Sequence, residues 1–174
     1  SFGFAGCFSF YPTKIITTGT GGMISTEDDK LAEYARSVRF HGAGSGLNEI
    51  INLGNDWFID EIRSALGLNQ LENLDYFLNK RLEIARCYDE LLKTSKVIKK
   101  FSVGEFSRHS YYKYPVQVTA DIDVEKMRKD FPKKYGFELE SLYWPVCHLQ
   151  PIYRKILNSA PAKFTVAEAT LSKQ

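Results

Sequence analysis

Apolar positions in the first part of the chain come in short bursts. Cys7-Phe8-Ser9-Phe10 predicts an aromatic strand, halted by Pro12. Thr17 to Gly22 reads as a small-residue turn, and Met23-Ile24 as a returning strand. Ser25 to Asp29 reads as a helix start, in which Thr26 can cap and acidic side chains suit the positive dipole end. Leu31, Tyr34, Ala35 and Val38 recur at i, i+3, i+4 and i+7, the stripe of an amphipathic helix. That helix is expected to stop at the glycine-rich loop His41 to Gly46.

From Ile59 to Leu92 the period is helical throughout. Ile62, Ala65, Leu66, Leu68, Leu71 and Leu74 make one apolar face; Leu78, Leu82, Ala85, Tyr88, Leu91 and Leu92 make another. A bend near Asp75-Tyr76 lacks Gly or Pro, so one kinked helix and two packed helices both fit. The cluster Lys93 to Lys100 reads as a solvated helix end. Gly104 to Ser110 is expected to be a loop. Tyr111 to Thr119 alternates like a strand, with Pro115 pointing to a sheet edge. Asp123 to Phe131 reads as a helix capped by Asp123 and stopped by Pro132. Phe137 to Tyr143 reads as a strand, Pro151 to Leu157 as a short helix, and Thr165 to Gln174 as the start of another. The alternation implies a small α/β layer in the second half.

Composition narrows the function classes. The chain has 174 residues, 44% hydrophobic and 25% charged, which suits a globular protein. Lys plus Arg total 23 against 21 acidic residues, too even and too scattered for a nucleic-acid groove. No apolar run approaches the roughly 20 residues of a membrane helix, and no signal peptide is visible. Three distant cysteines, Cys7, Cys87 and Cys147, argue against a disulfide framework and against zinc spacing. They imply buried, reduced thiols in a cytoplasmic protein, and no metal site is expected. The chain begins inside an apolar run without Met and ends within a helical pattern, which reads as a piece of a longer protein.

Candidate chemistry centres on Ser9 to Gly22. Lys14 sits between two strand candidates, beside Ile15, Ile16 and the aromatics Phe8, Phe10 and Tyr11. Such surroundings would desolvate the amine and favour the neutral nucleophile, although most lysines are simply solvated surface charges. Ser9, at the strand end, could bind a phosphate with its hydroxyl and neighbouring N–H groups. The glycines do not fit the P-loop pattern. His41 could line a site or could simply complement a helix C-terminus. His148 could face a substrate or be a core histidine satisfied by backbone, and His109 belongs to a solvated loop. Trp57 and Phe58 suit burial or a dimer interface.

These motifs resemble the DegT/StrS-type sugar aminotransferases, which depend on pyridoxal 5'-phosphate (PLP). Ser9-Phe10-Tyr11-Pro12-Thr13-Lys14 with Thr17-Thr18-Gly19 and Gly21-Gly22-Met23, then Arg39-Phe40-His41-Gly42, matches one family segment. Ala65-Leu66-Gly67-Leu68-Asn69-Gln70-Leu71, Arg81 to Tyr88 and Trp144 to Pro151 match three more, in the family's order. The resemblance implies an α/β fold, the C-terminal part of a fold type I PLP-dependent transferase. Residues 1–58 would close the large PLP-binding domain, 59–93 would form long linking helices, and 94–174 a small α/β domain. It implies that Lys14 holds PLP as the internal aldimine and shuttles the substrate proton. Family members that dehydrate sugars carry His at that position, so Lys favours amino transfer. Ser9 would bind the cofactor phosphate. Asp56 falls where the family has an Asn reaching the phosphate of the neighbouring subunit. The implied partners are an amino-acid donor, a keto nucleotide-sugar and a second copy of the chain in a homodimer with shared sites.

The sequence departs from the pattern at Ile15, Thr20, Asp56 and Phe58. An Asp facing a phosphate would repel it, so either Asn55 substitutes or the contact is lost. The family's residues for the pyridine nitrogen are absent from these 174 residues, so an inactive fragment is expected. A non-catalytic binding or regulatory protein on the same scaffold is the alternative.

Overall fold

In a computed structural model of the chain, the described residues are 3–46, 48–104, 108–119, 121–140, 143–157 and 163–171. The chain divides into two compact units, Ser1–Lys80 and Arg81–Gln174.

The first unit opens with strands β1 (Ala5–Ser9) and β2 (Gly22–Thr26), paired antiparallel with Cys7 opposite Ile24 and Ser9 opposite Gly22. Helix α1 (Asp29–Arg39) is capped by Asp28, whose carboxylate accepts from Leu31 N at 2.7 Å. Thr26, the cap expected from sequence, does a different job. Its hydroxyl accepts from Asp28 N and donates to Phe4 O, tying the end of β2 to the segment before β1. The charged Asp28 side chain takes the cap because it also complements the helix dipole.

The chain leaves α1 through His41 and Gly42, both at positive φ, and returns to its C-terminal end. Asn55 N donates to Val38 O, and Trp57 N to Arg39 O. Ile51 N and Asn52 N both donate to Gly42 O. A Cβ on Gly42 would lie 1.8 Å from Asn52 O, so only glycine permits this approach.

Helix α2 (Glu61–Glu72) is capped by Asp60 and ends at Asn73; α3 (Leu74–Leu92) follows at once. Two helices are therefore present. The break falls at Asn73, where the side-chain amide donates to Asn69 O and competes with helical continuation. The expected apolar face of α2 is not covered within the chain: Ile62 is 85% exposed and Leu68 64%.

The second unit contains the end of α3, then β3 (Ile98–Lys100) antiparallel to β4 (Val116–Val118), with Ile98 opposite Val118. The Lys-rich stretch expected to be a helix end is thus partly a strand. Ile98 is half-buried while Lys99 and Lys100 are exposed, so one apolar position anchors a strand that the charge run conceals. Strand β4 is shorter than the Tyr111 to Thr119 expectation.

Helix α4 (Val124–Tyr135) is capped by Asp123 and ends at Gly136 in the left-handed conformation. It runs through Pro132, where a stop was expected. Pro132 removes one helical donor, but Lys133, Lys134 and the Gly136 cap favour another turn, and Phe131 packs on Tyr135. Phe137 to Glu140 is not a strand; Phe137 instead packs edge-on against Phe131. Ser141 and Leu142 of that expectation lie outside the described residues. A 3-10 turn (Cys147–Leu149), α5 (Pro151–Leu157) and α6 (Thr165–Leu171) complete the unit.

Ala85, Val118 and Val146 are the buried apolar side chains among the described residues. Cys7, Cys87 and Cys147 are free and exposed, not buried as expected, because each sits on an uncovered element surface. No helix among the described residues is long and apolar enough to cross a membrane.

Asp89 is the polar tie of the second unit. One carboxylate oxygen accepts from Tyr114 OH at 2.6 Å, and the other lies 2.8 Å from Lys100 Nζ, joining α3 to β3 and to the segment before β4. Lys100 and then Tyr114 hold the Asp89 carboxyl below its ordinary value of 3.8. Its contribution is complete above that value and is lost as pH falls through the lower native one. In the full-length protein, Asp89→Asn should therefore lower stability at neutral pH by about 1–2 kcal/mol. Urea unfolding against pH should also show a flatter acid limb for the variant.

Candidate functional site

The connection between β1 and β2, residues 10–21, is built around the backbone of Phe10. Phe10 N donates to Gly21 O at 2.9 Å. Phe10 O accepts twice, from Thr18 N at 3.1 Å and from Thr17 Oγ1 at 2.8 Å. The loop therefore closes on itself at its base, with both lone pairs of one carbonyl in use. Beyond that base, Lys14 N donates to Tyr11 O at 2.9 Å, and Pro12 fills the second position of the turn, which its fixed φ favours. Lys14 is half-buried at the end of this turn.

The far side of the loop is equally determined. Thr17 Oγ1 accepts from Gly19 N, and Thr18 Oγ1 donates to Thr20 O. Gly19 and Gly21 take φ of 81° and 146°, which side chains resist. A Cβ on Gly21 would sit 2.7 Å from Thr18 Oγ1. Thr18 is 3% exposed. Thr17 N donates to Gln70 Oε1 of α2 at 2.7 Å. One turn earlier on that helix, Gly67 lies under Thr18: a Cβ there would be 2.7 Å from Thr18 Cγ2.

The structure groups the residues singled out from sequence into three places. Ser9 and Lys14 belong to one loop; Ser9 is exposed, and its Oγ accepts from Tyr11 N at 3.4 Å. His41 and Asp56 belong to the return onto α1. His41 N donates to Asn55 O at 3.1 Å, and Asp56 bridges Phe40; both side chains are exposed. Phe58 packs edge-on against Phe40 with rings 5.2 Å apart, and the Arg39 guanidinium lies 5.0 Å from the Phe58 ring. Trp57 and Phe58 are exposed rather than buried within this chain.

His148 is in the second unit. Its Nε2 lies 2.9 Å from Glu168 Oε1, and its ring meets Phe164 edge-on. The hydrogen bond from His148, and then that from Phe164 N, hold the Glu168 carboxyl below its ordinary range. A small open cleft in the same unit is lined by Arg81, Tyr88, Tyr111 and Tyr114 and contains none of the residues picked from sequence. Among the described residues no cluster of His, Cys, Asp and Glu could hold a metal ion.

Thr18, Gly67 and Gln70 received no role from sequence. The available signal was Gly67 itself, since a glycine inside a helix costs about 1 kcal/mol against alanine and calls for a packing reason.

The DegT/DnrJ/EryC1/StrS aminotransferase family model matches residues 1–174. The chain is 30% identical, over 93% of its length and 44% of the relative's, to the UDP-4-amino-4,6-dideoxy-N-acetyl-beta-L-altrosamine transaminase of Helicobacter pylori. It is 31% identical, over 97% of its length and 45% of the relative's, to the GDP-perosamine synthase of Caulobacter vibrioides. A DegT DnrJ EryC1 StrS aminotransferase structure from Brucella abortus superposes with a TM-score of 0.78 at 30% identity, covering 87% of this chain and 39% of that one. The chain belongs to the DegT/DnrJ/EryC1/StrS aminotransferase family and has the α/β fold of part of a fold type I transferase. It spans under half the length of the curated relatives it matches.

The Thr18–Gly67 contact yields a signed test. In an open helix interior Gly→Ala stabilises by roughly 0.5–1 kcal/mol. Here Gly67→Ala should destabilise the full-length protein by about 1–3 kcal/mol, the usual cost of overpacking. Adding Thr18→Ser, which deletes the opposing methyl, should restore most of the loss in thermal unfolding.

Proposed function

From membership of that family we propose that the whole protein is a PLP-dependent aminotransferase. It passes an amino group from an amino-acid donor to a keto nucleotide-sugar. The observation that carries this reading is Lys14, a half-buried residue whose backbone is held at the end of a hydrogen-bonded turn. The names of the relatives support the class of reaction, a transaminase and a perosamine synthase among them.

The donor set of the β1–β2 loop fits the cofactor. It offers one amine, the Ser9 hydroxyl, and Gly19, where a Cβ would meet nothing within 4 Å. When bound, PLP supplies an electron sink for the substrate's breaking C–H bond. Lys14 Nζ would hold the cofactor covalently and, once the donor's amine has displaced it, would be free to take and return the substrate proton. Ser9 Oγ binds the cofactor phosphate. The Asp56 carboxylate fits a phosphate poorly, since it only accepts hydrogen bonds and carries like charge. The neighbouring Asn55 side chain is the better donor on that segment.

His148, oriented by Glu168, and His41 are assigned to the substrate side. We place the protein in the cytoplasm as a homodimer with shared sites. The uncovered side chains of α2, and Leu53 at 97% exposure, support an apolar partner surface. Residues 1–58 then close the large domain, 59–93 link, and 94–174 form the small domain. A non-catalytic role on this scaffold is the second reading, motivated by the departures at Ile15, Thr20, Asp56 and Phe58.

Three measurements test the reading. Borohydride reduction of the cofactor-loaded full-length protein, followed by peptide mapping, should place the pyridoxyl adduct on Lys14. Lys14→Ala should lower kcat by roughly 10²–10⁴-fold or more. An adduct elsewhere overturns the assignment, and no adduct at all leaves the non-catalytic alternative. Sedimentation at micromolar concentration should give a dimer that Ile62→Glu weakens; a cofactor-loaded monomer would overturn the shared site.

A further inference from the structure

We propose that Gln70 is a positioning residue for Lys14, holding the lysine turn to helix α2 through the backbone of Thr17. The inference rests on the reading of Lys14 given above and adds a residue to it. It starts from an inversion in α2. The half-buried positions are Ser64, Gly67 and Gln70, spaced at i, i+3 and i+6, while Ile62, Leu66, Leu68 and Leu71 are exposed. The helix thus turns its small and polar stripe, not its apolar one, toward the β1–β2 loop. A stripe of this kind suits a segment whose main chain needs hydrogen-bond partners.

Thr17 supplies that need. Its N–H donates to Gln70 Oε1 at 2.7 Å, a short and well-formed bond. Its hydroxyl donates to Phe10 O and accepts from Gly19 N. Gly67 lets the loop approach closely enough for the glutamine to reach, because any Cβ there would collide with Thr18. Lys14 is fixed on its own side by the bond from its N–H to Tyr11 O. Between these two anchors lie only Ile15 and Ile16, both half-buried. Three residues of chain span at most about 11 Å. The Lys14 Cα therefore lies between its own turn and Thr17, which Phe10 and Gln70 both hold, and releasing Gln70 removes the hold on Thr17 that comes from outside the loop.

The sign of the contact is specific. Thr17 N needs an acceptor, and the Gln70 carbonyl oxygen is one. Gln70→Glu keeps an acceptor, whereas Gln70→Met keeps the length and removes it. In the cofactor-free full-length protein, hydrogen exchange at the Thr17 amide should quicken roughly threefold to tenfold in Gln70→Met, the range a single net hydrogen bond supports. In Gln70→Glu the protection should persist at neutral pH. Normalised to the parent protein, it should be strongest while the carboxylate is ionised and decline as pH drops through the carboxylate range, where the neutral acid keeps only a weaker carbonyl acceptor.

The loaded protein gives a second readout. Gln70→Met should shift the pH midpoint of its visible absorbance band and lower kcat several-fold with donor KM nearly unchanged. Gln70→Glu should restore the midpoint. A role confined to stability would lower the unfolding midpoint and leave the band's pH midpoint alone. Unchanged Thr17 exchange in Gln70→Met, or an unchanged pH midpoint, overturns the proposal. If Gln70→Met does not fold, the pH-dependent exchange of Gln70→Glu decides alone, and a flat profile overturns it. A pyridoxyl adduct mapped away from Lys14 would overturn the functional reading instead, while the exchange at Thr17 still reports on the contact.

Discussion

A single backbone carbonyl, that of Phe10, sets the geometry of the first unit's loop. It accepts from both Thr17 and Thr18, so the chain must turn back on itself between Tyr11 and Gly21. The chemistry available in that loop follows from this closure. Ser9 is left at the end of β1, Lys14 is carried out on a proline-initiated turn, and the glycines take up the strained return. Thr18 can be buried because its hydroxyl is satisfied within the loop, at Thr20 O. The loop's shape is thus fixed by hydrogen bonds internal to it and by the bond from Thr17 N to Gln70 of α2.

The two units solve the problem of cohesion with few buried apolar side chains. In the first, backbone bonds and glycine contacts dominate: Gly42 and Gly54 bring the return segment against the end of α1, and Gly67 brings α2 against Thr18. In the second, the Asp89 carboxylate joins α3 to Lys100 and Tyr114, while Arg81 donates to the carbonyls of Tyr111 and Tyr112. Much of the apolar surface, Leu53, Ile62 and Val166 among it, stays uncovered. Side chains of that kind are ordinarily covered by other surfaces in an assembled protein.

The site reading and the family assignment meet at this loop from different directions. The proposed role of Lys14 rests on the motif match, and the fold holds that residue at the end of a hydrogen-bonded turn. Asp56 and Phe58, where the chain departs from the family pattern, fall together on the return segment. There Phe58 meets Phe40 edge-on beside the Arg39 guanidinium, and Asp56 bridges Phe40. These two departures are therefore neighbours within one structural segment, while the other two, Ile15 and Thr20, lie in the loop that carries Lys14.

Sequence by itself determined the elements whose signals are local. The α1 stripe, the Asp123 cap, the short helix after Pro151 and the long helical stretch from Ile59 to Leu92 are written in periodicity and capping chemistry, which act within a turn or two. The motif that places Lys14 beside Ser9 and the glycines was legible there too. Only the tertiary structure decided what depends on distant partners. Strand β3 emerges from a lysine run because Val116 to Val118 pairs with it. Helix α4 passes through Pro132 because Gly136 and Phe131 favour one more turn. The face that α2 turns inward is the polar one, because the Thr17 amide, 53 residues away in sequence, needed an acceptor that no apolar side chain provides.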